Sequence, residues 1–194
     1  MGDLMRVVGG NYRSRPLKAV PGMNTRPTTD KVKESMFNVL SPYLSSCHLC
    51  LDFYAGSGAL AIEAVSRGVD QAVLCEQNHI ALKTIEANLL MTQELSKFHL
   101  LKGNNRQALK RWFNDTSEVF DLVFLDPPYK KGRYLEDLRW LKKESMLADQ
   151  AVILCESDQE HQWDSEVDDF EWVKSKKYGQ SYLSLLIYRG DEVE

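Results

Sequence analysis

No apolar run in this chain approaches the length of a membrane span. The N-terminus lacks the apolar core of a secretory signal, so a cytoplasmic location is expected. Internal repeats, low-complexity tracts and long linkers are absent too, which removes solenoids and disordered tethers from consideration. Cysteine is scarce: Cys47, Cys50, Cys75 and Cys155. Cys47-His-Leu-Cys50 has C-x-x-C spacing, which raises zinc or redox chemistry. A closed zinc site needs four ligands. Cys75 and Cys155 lie inside apolar, strand-like runs and form no second pair. Reduced thiols, buried or half-buried, and no metal are expected. Net positive charge is also lacking, at -4, so the total gives no sign of a nucleic-acid partner. What is present is 194 residues with 43% hydrophobic and 27% charged content, enough for one globular domain with a real core.

The distribution of charge says more than its sum. Residues 1–33 carry seven basic side chains against two acidic ones, a balance of +5. Residues 156–171 carry eight acidic side chains and no lysine or arginine. The basic stretch contains Arg6, Arg13, Arg15, Lys18 and Arg26, with Tyr12 among them. Lys130, Lys131 and Arg133 form a second basic group. These are the candidates for contact with a nucleic-acid backbone, and Tyr12 for contact with a base.

Residues 5–8 and 17–20 flank Gly9-Gly10 and predict a small β-hairpin or meander ahead of the main fold. Thr25 to Asp30 leads into a helix whose Val32, Met36, Phe37 and Leu40 share one face, and which Pro42 should end. Beyond it strands alternate with helices. Strands are expected near 49–53, 72–75, 98–101, 120–125 and 151–155, and helices near 59–66, 80–90, 108–112 and 134–143. A last pair of strands covers about 172–178 and 182–188. The pattern predicts an α/β fold: a mostly parallel seven-stranded sheet covered on both faces, with an antiparallel strand at one edge.

The stretch from Phe120 to Tyr129 ends in Asp126-Pro127-Pro128-Tyr129. Two consecutive prolines cannot continue a sheet ladder, so they hold the chain extended and stiff just past the strand. Ligands of open α/β sheets sit at this carboxyl edge. An exocyclic amine of a nucleobase is a poor nucleophile, because its lone pair is delocalised into the ring. The Asp126 carboxylate and the Pro127 carbonyl are two acceptors that can take its hydrogens and localise that lone pair. Tyr129 can stack on the base, a contact worth ~1–3 kcal/mol.

A second cluster surrounds Asp52-Phe-Tyr-Ala55-Gly56-Ser57-Gly58. Glycines in a strand–helix turn let a ligand approach the backbone. Gly56-x-Gly58-x-x-Ala61 fits a dinucleotide fingerprint, with Glu76 placed to hold a ribose through both hydroxyls. Asp52 before the turn favours a cationic, amine-bearing ligand, S-adenosylmethionine, over NAD. Gln77 follows Glu76, and Asn104 or Asn105 after the third strand is placed to read an adenine edge. The cofactor set is thus Asp52, Ala55, Gly56, Ser57, Gly58, Glu76, Gln77, Asn104, Asn105 and Asp126.

These residues resemble the RsmD family, bacterial enzymes that methylate N2 of a guanine in 16S ribosomal RNA. The likeness runs through residues 5–15, 25–38, 51–58, 63–68 and 120–129, and the ending from Tyr178 to Arg189 is similar too. Arg26 to Asn38 is its most discriminating part, since other methyltransferases share the glycine turn and the proline tetrad. Where the family often has an aspartate after the third strand, this chain has Asn104-Asn105. The resemblance implies a Rossmann-like class I methyltransferase domain over residues 25–194 and a basic RNA-contacting extension over 1–24. It also implies S-adenosylmethionine as cofactor, ribosomal RNA or the small subunit as partner, and Asp126 to Tyr129 as the pocket for a flipped guanine. The competing readings are a DNA adenine-N6 methyltransferase, a catalytically inactive cofactor-sensing RNA-binding protein, and an NAD dehydrogenase. Only about sixty-five residues follow the tetrad. They complete the sheet, leaving little for the target-recognition region of a DNA enzyme.

Overall fold

A computed structural model describes residues 5–22, 30–127, 133–160 and 169–190. The elements in chain order are α1 (Asp30–Leu44), β1 (Leu49–Asp52), α2 (Ala59–Ser66), β2 (Gln71–Glu76), α3 (His79–Thr92), β3 (Phe98–Lys102), α4 (Asn105–Thr116), β4 (Phe120–Leu125), α5 (Tyr134–Lys143), β5 (Leu147–Ser157), β6 (Phe170–Tyr178) and β7 (Ser181–Tyr188). One seven-stranded sheet runs in the order β3-β2-β1-β4-β5-β7-β6. The first five strands pair in parallel. β7 pairs antiparallel with both β5 and β6, so the antiparallel pairings lie at one edge, as expected. Lys174, Lys176 and Lys177 on β6 suit a strand that ends a sheet, because charge there discourages pairing with another chain.

The central strands are mostly apolar because both faces are covered; Asp121 at the start of β4 and Asp52 at the end of β1 are the exceptions. Cys50, Leu74, Phe124 and Leu154 face one layer, made by α1, α2, α3 and residues 5–17. Leu51, Val73, Cys75, Val123 and Leu125 face the other, which includes Leu109 of α4 and Leu138 and Leu141 of α5. α2 reads Ala-Leu-Ala-Ile-Glu-Ala-Val-Ser and is buried on every side, which explains its lack of a polar stripe.

Two expectations are corrected here. Pro42 does not end α1; it lies in the last turn and the helix runs on to Leu44. A proline there forfeits the bond its N–H would give to the Asn38 carbonyl, a loss borne because only two helical residues follow it. Residues 5–22 form turns and only a rudimentary hairpin: one antiparallel bridge, Arg6 with Pro16, flanked by Val7 N–H donating to the Arg15 carbonyl (3.0 Å) and Leu17 N–H to the Met5 carbonyl (2.7 Å). Much of the segment's remaining backbone bonds to α2. The N–H groups of Val8 and Gly9 donate to the Glu63 carboxylate (2.9 and 2.7 Å), and that of Asn11 to the Ser66 carbonyl (2.7 Å). Gly10 permits this approach: a Cβ on it would lie 1.8 Å from the Ser66 carbonyl oxygen. Met5, Val7, Tyr12 and Leu17 join the core of the same layer, so the described part of the N-terminus does not stand apart as an extension.

A buried charge network fastens this layer. Lys33 and Glu63 are both fully buried, 3.8 Å apart. The Lys33 ammonium also donates to the Arg6 carbonyl, and Arg67 donates to Glu63 at 2.9 Å. Burial pulls the Lys33 pKa down, and Glu63 acts against that. Lys33 therefore adds nothing to an exposed basic face, although it counts toward the +5 balance.

Candidate active site

The carboxyl edge of the sheet carries a row of acids. Asp52 ends β1 and Glu76 ends β2; Asp126 follows β4, and Glu156 lies near the end of β5. These strands are neighbours in the order β2-β1-β4-β5. Side chains alternate along a strand, so residues two apart share a face. Asp52 shares that of Cys50, Glu76 that of Leu74, Asp126 that of Phe124 and Glu156 that of Leu154. All four carboxylates thus lie on the side of α1, α2 and α3. Leu125 pairs with Cys155, which sets Asp126 beside Glu156.

Burial among like charges shifts these groups. Asp52 is buried and its pKa is raised to about 7, chiefly by loss of water, with a smaller push from Glu76. The Ala61 N–H at 3.3 Å works against that rise. The Asp126 pKa lies well above the usual carboxylate range, first from burial, then from Glu156, then from Asp52. Glu156 is also raised by burial, and the Ser181 hydroxyl restrains it. Such a row suits a ligand that brings positive charge.

The turn after β1 is held by the acid at the end of β2. Gly56 N–H donates to Glu76 Oε2 (2.9 Å), while the N–H groups of Gln77 and Asn78 donate to Oε1 (2.8 Å each). Three of about four lone-pair sites on a carboxylate are then occupied. One ribose hydroxyl fits the remaining site; the second expected contact must displace a backbone N–H. Gly56 has φ +55°, and a Cβ there would meet nothing within 4 Å, so the turn leaves open space for a ligand. Ala55 N–H donates to the Cys75 carbonyl (3.0 Å), and Gly58 is the left-handed residue before α2. The Ser57 carbonyl accepts from Asn88, whose side chain also bonds both polar groups of the Lys18 peptide.

The two asparagines differ. Asn104 caps α4, its side-chain oxygen accepting from Gln107 N–H (3.1 Å). Asn105 Nδ2 donates to the Phe53 carbonyl (2.6 Å), which fixes the amide's orientation and leaves Oδ1 buried with no partner among the described residues. Asn105 Oδ1 is thus an open, buried acceptor, while Asn104 Oδ1 has one of its two lone pairs taken by the cap. Pro127 is half-buried beside Asp126; Pro128 and Tyr129 lie outside the described residues, as do Arg26, Lys130 and Lys131.

Of the expected nucleic-acid contacts, Arg6, Arg13, Lys18 and Arg133 are exposed, and Arg6 pairs with Asp30 at 2.8 Å. Tyr12 is a correction. It is 3% exposed, packed in the core with its hydroxyl on Glu94, and has no face free for a base. Arg15 is half-buried and donates to the Met91 and Thr92 carbonyls at the end of α3 (2.9 and 3.1 Å). The four cysteines are free and buried, and burial pushes the Cys47 thiol up to about 11. Among the described residues no three acidic, histidine or cysteine side chains group as metal ligands, and no helix is long and apolar enough to cross a membrane. Sequence reasoning missed Glu156. The signal was there: of the five parallel strands, four end at or beside an acid.

An open parallel sheet with this turn, this row of acids and an antiparallel β7 defines the Rossmann-like methyltransferase class. The family described as conserved hypothetical protein 95 matches residues 5–187. YlbH of Bacillus subtilis, provisionally named an rRNA methyltransferase, is 37% identical over 186 residues, covering 96% of this chain and 100% of its own. Ribosomal RNA small subunit methyltransferase D of Escherichia coli K12 is 34% identical over 157 residues, 81% of this chain and 76% of its own. The solved structure of yhhF from Escherichia coli, provisionally a methyltransferase, is similar with a TM-score of 0.80 at 31% identity, covering 96% of this chain and 99% of that one. The chain belongs to this family, the RsmD family of S-adenosylmethionine-dependent rRNA methyltransferases.

Proposed function

We propose that the protein methylates the exocyclic N2 of a guanine in small-subunit ribosomal RNA. The observation that carries this reading is Asp126. It is a largely dehydrated carboxyl at the end of β4, followed by Pro127-Pro128-Tyr129, in line with Asp52 and Glu76 on the same face. The residues present fit S-adenosylmethionine, which would supply an electrophilic methyl group, its methyl–sulfur bond breaking as the N–C bond forms and the neutral thioether S-adenosylhomocysteine leaving. Glu76 offers one lone-pair site to a ribose hydroxyl, Asn105 Oδ1 an acceptor to the adenine amine, and the space over Gly56 admits the amino-acid part. Asp52 balances positive charge from below the turn.

The target base is stacked in its RNA and must be turned out to reach this edge. Asp126 and the Pro127 carbonyl then accept the two N2 hydrogens and aim the lone pair outward. The amine attacks while neutral. Its proton leaves as positive charge develops, and a carboxylate whose pKa is raised accepts that proton more readily than an ordinary one. A cationic cofactor beside the row favours the ionised Asp126 that this requires. Exposed Arg13, Lys18 and Arg133 supply phosphate contacts.

Transfer of labelled methyl from S-adenosylmethionine to ribosomal particles, followed by nucleoside analysis, tests the reading. N2-methylguanosine in small-subunit RNA is expected. Run beside it on duplex DNA, the same assay would give N6-methyladenine if the DNA adenine-directed alternative holds, and no incorporation into either substrate would favour a binding protein without catalysis.

A further inference from the structure

Glu156 has no place in the chemistry above, yet it stands beside Asp126 in the adjacent strand and on the same face. Its Oε2 is buried and has no hydrogen-bond partner among the described residues. Ser181 on β7 donates to the carboxyl group, and the Glu156 backbone carbonyl accepts from Tyr134. An acceptor left open in a dehydrated place costs free energy, so such atoms ordinarily meet a donor. Guanine presents two neighbouring donors, N1–H and the N2 amine; adenine presents a bare acceptor at N1. Two neighbouring carboxyls match the first arrangement and repel the second, lone pair against lone pair.

We propose that Glu156 reads guanine: its Oε2 accepts N1–H while Asp126 and Pro127 hold the N2 amine. The inference rests on the guanine-N2 reading. It makes base choice a property of β5, separate from the strand that carries the chemistry.

The test uses the full chain and two RNAs, one with guanine and one with 2,6-diaminopurine at the target position. Diaminopurine keeps the N2 amine and lacks N1–H. Single-turnover transfer by the wild type should favour guanine by about ten- to a hundredfold, the usual penalty for one mismatched base contact. Glu156→Gln presents either an acceptor or a donor. It should slow transfer to guanine and narrow that ratio about tenfold or more, while cofactor affinity stays as in the wild type. Equilibrium binding of the two RNAs to Glu156→Gln gives the same ratio should turnover be too slow. A ratio unchanged from the wild type, with guanine still methylated at N2, would overturn the role of Glu156. Failure of the wild type to form N2-methylguanine would overturn the underlying reading instead.

Discussion

Replacing Glu76 by alanine tests the cofactor site most directly. The carboxylate accepts three backbone N–H groups, from Gly56, Gln77 and Asn78. Gln77 and Asn78 are exposed, so water takes over their N–H groups in the variant; Gly56 is half-buried and keeps less water. The cost in stability is then near that of one ordinary hydrogen bond, about 1 kcal/mol. That corresponds to roughly 2–4 °C in Tm for a chain of this size. The cost in binding is larger. One lone-pair site remains for a ribose hydroxyl, and a hydrogen bond to a charged acceptor contributes ~1.5–3 kcal/mol. Cofactor affinity should fall about 10- to 150-fold. Glu76→Gln keeps one acceptor oxygen and loses the charge, so it should lie between. Calorimetric titration with S-adenosylmethionine, beside thermal unfolding, separates the two effects. An unchanged affinity in Glu76→Ala with the small Tm loss still present would refute the assignment of Glu76 to the ribose.

Asp126→Ala should lower the single-turnover rate by about 10²–10⁴-fold, the range for a positioned acid–base group, with cofactor affinity little altered. Asp52 gives a pH test. Its folded pKa, about 7, exceeds the ordinary carboxylate value of 3.8, so its contribution to stability is present below the lower value and lost as pH rises through about 7. Asp52→Asn should therefore gain stability over the wild type as pH rises across that window, read by unfolding at several pH values. Wild-type affinity for the cationic cofactor should tighten across the same window, and a flat titration series would take Asp52 out of the site. Glu63→Ala strands the buried Lys33 and should cost about 3–5 kcal/mol, a Tm loss of roughly 6–20 °C by calorimetry.

The sheet was legible because its strands are apolar runs bounded by turn residues, and the bounds of α2, β4 and α5 fall at the expected residues. Asp52, Glu76 and Asp126 were legible for a related reason: each is an acid at the end of such a run. The N-terminal layer was not. Lys33, Arg15 and Tyr12 look like surface residues by type, and nothing local states that Glu63, Thr92 and Glu94 wait for them across thirty to about eighty positions. One clue was available. Glu63 is the lone acid in a short helix that is otherwise apolar apart from Ser66, and a carboxylate so placed demands partners. Glu156 was hidden differently, as the first member of an acidic run that was weighed only for its net charge.

The fastening of residues 5–18 has a consequence for how the protein can be divided. Glu63 takes the N–H groups of Val8 and Gly9, Ser66 bonds the segment's backbone at Gly9 and Tyr12, and Asn88 bridges Lys18 to the Ser57 carbonyl in the glycine turn. Cutting the segment away would bare the apolar surface under Met5, Val7, Tyr12 and Leu17 and leave Glu63 with fewer donors. A truncated chain would therefore lose solubility and turn geometry together with any RNA contact, and its defect could not be assigned to one of them. The basic segment is not a portable reader that can be grafted onto another catalytic domain. Exchange between relatives would have to carry α1, α2 and α3 with it, as one inherited block.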